Sequence, residues 1–129
     1  MSLERLRSEI ATFTVGPYLL TVSDDERPHC VAVSVAWTAD ELVMAVGNTS
    51  RANATARRRV SLLWPPDEPG GYSLIVDATV TVTPGASSAD ASLTVRPTRA
   101  VLHRPAEARD ADRDGCTSDC VPIPLTATE

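Results

Sequence analysis

Arginine and small hydroxyl-bearing residues gather in one stretch, Thr49-Ser50-Arg51-Ala52-Asn53-Ala54-Thr55-Ala56-Arg57-Arg58-Arg59. It follows an apolar run ending at Val46-Gly47-Asn48 and leads into a second one, Val60-Ser61-Leu62-Leu63-Trp64. A turn that enters a helix presents first-turn N–H groups with no intrahelical partner, and the helix dipole favours an anion there. A guanidinium alongside adds a planar, bidentate donor, so Thr49, Ser50 and Arg51 form a candidate phosphate site. Ser50 would serve equally well as an ordinary helix N-cap, and residue types alone do not separate the two roles.

Other reactive side chains are sparse. Cys116 and Cys120 could form a disulfide, ligate a metal or do redox work, and inert thiols in a tail are the default. Only His29, His103 and Cys30 could complete a metal site with them, and nothing in the spacing joins the five, so no metal is expected. His103, beside Arg104, suits either a pocket wall or the surface. Asp77 sits inside a strand-like run, where it must be solvated or paired with an arginine. No serine–histidine–acid or paired-carboxylate pattern is present, so no residue is assigned to catalysis. The 12 basic side chains are all arginine, which excludes Schiff-base lysine chemistry.

Composition narrows the partners. A net charge of -5 opposes non-specific nucleic-acid binding, and Arg57 to Arg59 read as a solvated face. No apolar run approaches the roughly 20 residues that span a bilayer. The start Met1-Ser2-Leu3-Glu4-Arg5 lacks a signal-peptide layout. Three cysteines, an odd number, fit a reducing compartment. The expectation is a cytoplasmic protein that contacts neither nucleic acid nor membrane. It is a single domain over 1–129, with 105–129 as an acidic loop and C-terminal tail.

The elements that would position the candidate site are mostly strands. Leu3, Leu6, Ile10 and Phe13 recur at helical spacing, with Ser2 as the expected cap and Gly16-Pro17 as the stop. Strands follow over Tyr18–Ser23, Pro28–Thr38 and Glu41–Val46, the second and third joined by a tight turn at Ala39-Asp40. In the second, Val31, Val33, Val35 and Trp37 share a bulky face while Cys30, Ala32, Ser34 and Ala36 share a small one. The small face suits a covering layer, a partner subunit or a flat ligand. A short helix over Ser50–Arg58 precedes a strand at Arg59–Trp64, a stiff Pro/Gly loop, and long strands over Tyr72–Thr83 and Ala91–His103. Pro84 to Asp90 reads as loop, and Pro97 marks a bulge, bend or edge. The expected fold is mainly β: a closed or nearly closed six-stranded antiparallel barrel with an N-terminal helix and one short helix between strands 3 and 4.

The wording and order of these segments resemble the pyridoxamine 5′-phosphate oxidase-like superfamily of flavin-binding split β-barrels. The matching text is Tyr18 to Ser23, Arg27-Pro28-His29, Val33 to Trp37, Leu42 to Gly47 before Thr49-Ser50-Arg51, and Val60-Ser61-Leu62-Leu63. The resemblance covers residues 1 to 104. It implies a homodimeric small oxidoreductase that holds FMN, or a deazaflavin coenzyme or heme, at the subunit interface and acts on a small-molecule substrate. It places the flavin phosphate at Thr49, Ser50 and Arg51 and the ring along Val33, Ser34, Val35 and Ala36, with Trp37 or Trp64 packed nearby. Two departures stand out. Ala52 occupies a position where the family commonly has a second basic residue, and the helix-to-strand connection is short. The C-terminal substrate-binding segment of true pyridoxamine phosphate oxidases has no counterpart. A cofactor-free dimeric barrel with a decayed site is the rival expectation.

Overall fold

The computed structural model describes residues 3–82, 92–105 and 118–125. Helix α1 (Glu4–Ala11) is followed by strands β1 (Tyr18–Val22), β2 (Pro28–Ala32), β3 (Val35–Thr38) and β4 (Glu41–Ala45). Helix α2 (Asn48–Ala56) comes next. Strands β5 (Arg59–Trp64), β6 (Ser73–Val82), β7 (Ser92–Pro105) and β8 (Ser118–Ile123) complete the order.

Alternation fixes which face of each strand is buried. In β6, Leu74, Val76, Ala78 and Val80 are buried, while Ser73, Ile75, Asp77 and Thr79 lie half-exposed opposite them. The alternation stops at the strand's end, where Val82 is 54% exposed after a register shift between Val80 and Val82. Leu19, Leu42, Leu62 and Leu93 fill the same interior, and Leu6 of α1 closes over it. The structure starts α1 at an N-cap of Leu3 with no side-chain cap; Ser2, the expected cap, lies outside the described residues.

Eight strands form one antiparallel sheet in the order β2-β1-β5-β6-β7-β4-β3, with β8 paired to β7. The expectation of six strands in a closed barrel is corrected on three points. First, the run Pro28–Thr38 is two strands. The β1–β2 ladder ends at Tyr18↔Ala32, the Val33 N–H donates to Pro17 O (3.0 Å), and a new ladder starts at Val35↔Met44. One bulky-and-small alternation thus passes from one end of the strand order to the other, and α2 consequently lies between strands 4 and 5. Second, β2 and β3 do not pair with each other, so the sheet is not closed. Third, the tail contributes β8. The expected loop at Pro84 to Asp90 falls outside the described residues, as does the acidic stretch before β8.

Pro97 sits where β7 changes neighbour. On one side of it Ser92 to Val95 pair with β4, and on the other Ala100 to Pro105 pair with β8. The register against β6 shifts between Asp77 and Ala78, and Thr98 Oγ1 donates to Asp77 O across the bulge (3.1 Å).

Side chains clasp β8 in place. Tyr72 OH and Arg104 Nε both donate to Asp119 Oδ2 (2.8 and 2.9 Å), and the guanidinium lies 4.4 Å from the Tyr72 ring centroid. The Tyr72 hydroxyl, then Arg104, holds the Asp119 carboxyl below its ordinary 3.8, and the same hydrogen bond raises Tyr72 above 10.0. A depressed carboxyl adds stability above its unfolded value and loses it as pH falls through the folded one; the raised phenol loses its share as pH climbs past 10.0. β8 should therefore stay docked through neutral pH and loosen below the ordinary carboxyl range. The amide resonances of Leu102 and Val121, paired across the ladder, report this. An acid transition that persists in Asp119→Asn would assign it to another group.

Candidate functional site: a cleft between helix α2 and strand β2

Small, helix-permissive residues let α2 form immediately after the apolar β4 run. Its N-cap, Gly47, is extended and offers no capping side chain. The Arg51 N–H donates to Gly47 O (3.0 Å), which leaves the N–H groups of Asn48, Thr49 and Ser50 ahead of the first helical bond. Those donors border a cleft of about 280 Å³ whose other wall is built by His29, Val31 and Val33.

The helix is pinned from below. Ala54 is fully buried, and the buried Asn53 Nδ2 donates to Thr21 Oγ1 of β1 (3.1 Å). Arg57 Nε donates to Val22 O and its Nη2 to Asp24 Oδ1, both at 2.7 Å. Arg58 reaches Val80 O (3.1 Å). The three consecutive arginines are therefore not uniformly a solvated face: two of them tie α2 and the start of β5 to the sheet. Replacing Thr21 with valine strips the buried Asn53 amide of its acceptor. This should destabilise the fold by about 1–3 kcal/mol in urea denaturation. A loss near zero would show that Asn53 finds another partner.

Ser50 is not the N-cap; it is the third residue of α2. It is only 2% exposed, its hydroxyl has no hydrogen-bond partner among the described residues, and it lines the cleft. With no buried side-chain polar atom left unpartnered among the described residues, that hydroxyl is open to the cleft, and an open hydroxyl with unused capacity beside unpaired helix N–H groups can receive an anion. Arg51 is half-buried, and its Nη2 donates to Asn48 Oδ1 at 3.4 Å, placing a guanidinium beside a cleft residue.

The sequence-predicted residues divide into two groups. Val33, Thr49 and Ser50 meet in the cleft, and Arg51 adjoins it. Ser34 lies at the break between β2 and β3, while Val35 and Ala36 belong to β3, away from the cleft walls. Neither tryptophan is a cleft residue: Trp64 is buried in the core (2% exposed), and Trp37 lies under the Arg7 guanidinium, 4.2 Å from its ring centroid. Sequence reasoning missed His29, Val31 and Asn48. The signal was available, because His29, Val31 and Val33 share one parity along the run Pro28–Thr38.

A larger groove of about 630 Å³ crosses the outer face of β1, β5, β6 and β7. There Asp77 accepts from Ser61 Oγ (2.8 Å) and pairs with Arg99 (3.5 Å), the arginine partnership expected for it. Its acidic group is already matched, so the smaller cleft with its unsatisfied donors is the better site despite its size. Among the described residues no cluster of three metal-ligating side chains occurs, and Cys116 lies outside them. No described helix is long and apolar enough to cross a membrane.

No established family profile matches the chain. Uncharacterized proteins of Mycobacterium bovis and Mycobacterium tuberculosis are each 38% identical to it over 136 residues, covering 94% of this chain and 93% of theirs. Among solved structures, a putative pyridoxamine 5′-phosphate oxidase from Listeria innocua superposes with a TM-score of 0.62 (14% identity, 77% of this chain and 95% of that one). An F420 reductase gives 0.57 (21% identity, 72% and 94%), and an FMN-binding protein of Syntrophomonas wolfei gives 0.58 (14% identity, 78% and 84%). Heme-binding proteins share the fold as well.

Proposed function

We propose that the chain, in one family with its mycobacterial relatives and similar in fold to pyridoxamine 5′-phosphate oxidase-like split barrels, is a member of that superfamily and binds a phosphate-bearing flavin, FMN or a deazaflavin coenzyme, as a small oxidoreductase. The observation that carries this reading is the Ser50 hydroxyl, without a hydrogen-bond partner among the described residues and open to a cleft beside three uncapped helix N–H groups. These residues fit a phosphate: the N–H groups and Ser50 would hold its oxygens, and Arg51 would neutralise its charge. Gly47 assists, since a Cβ there would meet nothing within 4 Å and the approach stays open.

When bound, the flavin supplies the hydride or electron transfer. The chain's own residues anchor, orient and exclude water; none is assigned a proton. Val33 and the following Ser34, Val35 and Ala36 would run beside the ring, with Val31 and Val33 as the apolar wall.

A second copy of the chain completes this reading. Cys30, Ala32, Ser34 and Ala36 are exposed on the outer face, where Tyr18 and Val22 are each 38% exposed. A solvated face of an antiparallel sheet is normally polar, so small and apolar residues there suit a covering subunit.

The deciding experiment is an absorption spectrum of freshly purified protein, followed by titration with FMN and with the deazaflavin coenzyme. Saturable uptake at micromolar concentration or tighter supports the proposal. Colourless protein with no uptake and no thermal shift, with heme tested in parallel, would favour the cofactor-free dimer that Ala52 suggests.

A further inference from the structure

Beside Arg51, where a second cation would help to hold a phosphate, stands Ala52. We propose that His29 supplies that cation from across the cleft, making phosphate recognition depend on imidazole protonation; this rests on the flavin-phosphate reading of the site.

His29 lies on β2 opposite Thr21, with its half-buried side chain in the wall that faces the first turn of α2. The side chain makes no hydrogen bond or ion pair with any described residue. Val31 and Val33, on the same wall, carry no polar group, so His29 is the one side chain there able to donate to an anion.

The charges around it come from each neighbouring element. The cations of α2 are Arg51, which bonds the cleft residue Asn48, and at its C-terminal end Arg57, which is engaged with Asp24 and Val22 O. β1 presents Thr21 opposite it, and the ionisable Tyr18 lies at the far end of that ladder, against Ala32. The β1–β2 turn holds Asp24, paired with Arg57, then Asp25, paired with Arg27 (3.3 Å), and the exposed Glu26. The Ala45-Val46-Gly47 side of the cleft has no ionisable group. No carboxylate lines the cleft, so an imidazolium there would add to Arg51 and leave an incoming phosphate uncontested. Histidine is the side chain whose charge ordinarily changes between pH 5 and 8, and both ring nitrogens donate when it is protonated.

The test is the equilibrium Kd for FMN and for riboflavin, which lacks the phosphate, in wild type and His29→Gln at pH 6 and pH 8. Taking the wild-type-to-variant ratio at each pH cancels the titration of the FMN phosphate itself. The expected result is an FMN affinity about tenfold weaker in His29→Gln at pH 6. The difference shrinks to about twofold at pH 8, riboflavin is unaffected throughout, and melting temperatures are matched. A ratio that is equal at both pH values, or a riboflavin loss as large as the FMN loss, would reduce His29 to a packing residue and overturn the proposal while the flavin reading stands. Wild type that takes up no FMN at either pH would overturn both.

Discussion

Arg51→Ala should weaken FMN uptake by about 1.5–3 kcal/mol, roughly 10- to 150-fold, the usual worth of a hydrogen bond to a charged group. The half-buried guanidinium has one partner to give up, Asn48 Oδ1 at 3.4 Å, so little existing structure opposes its turn toward a phosphate. Because α2 is held by Asn53, Ala54 and Arg57, removal of Arg51 should leave the melting temperature nearly unchanged. Fluorescence titration of FMN against the variant provides the measurement. Arg59→Ala, which alters the outer groove, is the matched control and should bind normally. An Arg51→Ala protein with wild-type affinity would remove this residue from the site.

The largest loss of stability is expected from Leu62→Ala, at about 2–5 kcal/mol. Leu62 is fully buried in β5, which pairs with β1 at Leu19 and with β6 at Val76, so the cavity would open between three strands. Urea unfolding should show a lower midpoint with an unchanged slope. The adjacent Leu63, half-exposed on the other face, should lose clearly less on truncation. Equal losses at 62 and 63 would mean that the outer face is as thoroughly covered as the core. That result would be strong evidence for a second subunit over it.

Much of the fold can be read from residue periodicity, because burial on one side of a strand imposes a period of two that no other element shares. Leu74, Val76, Ala78 and Val80 show it in β6, and the long apolar-and-polar alternations found most strands to within a residue or two. The division of Pro28–Thr38 could not be read in this way. Alternation continues across Val33 and Ser34 without a fault; what changes there is the hydrogen-bonding neighbour, which is decided by residues far along the chain. β8 was hidden for a different reason. Ser118–Ile123 contains Pro122 and Cys120, which suit an edge strand, and its pairing depends on β7 exposing half of one margin. In the candidate site, Ser50 and Arg51 stood out by type. The role of Ser50 did not, since an N-cap and a buried third residue look the same in sequence and differ only in where Gly47 places the helix start.

β7 keeps β6 along one margin and divides the other between β4 and β8. Its second half is therefore a seam that something must stitch, since bare strand margins recruit whatever ribbon is nearest. In a solitary copy the nearest ribbon is its own, tethered through residues 106–117. Where two copies lie side by side, the neighbour's ribbon competes at a comparable effective concentration. Exchange of C-terminal ribbons between copies would then need no new contact surface, only the release and re-forming of the β7–β8 ladder and its Asp119 clasp on the other chain.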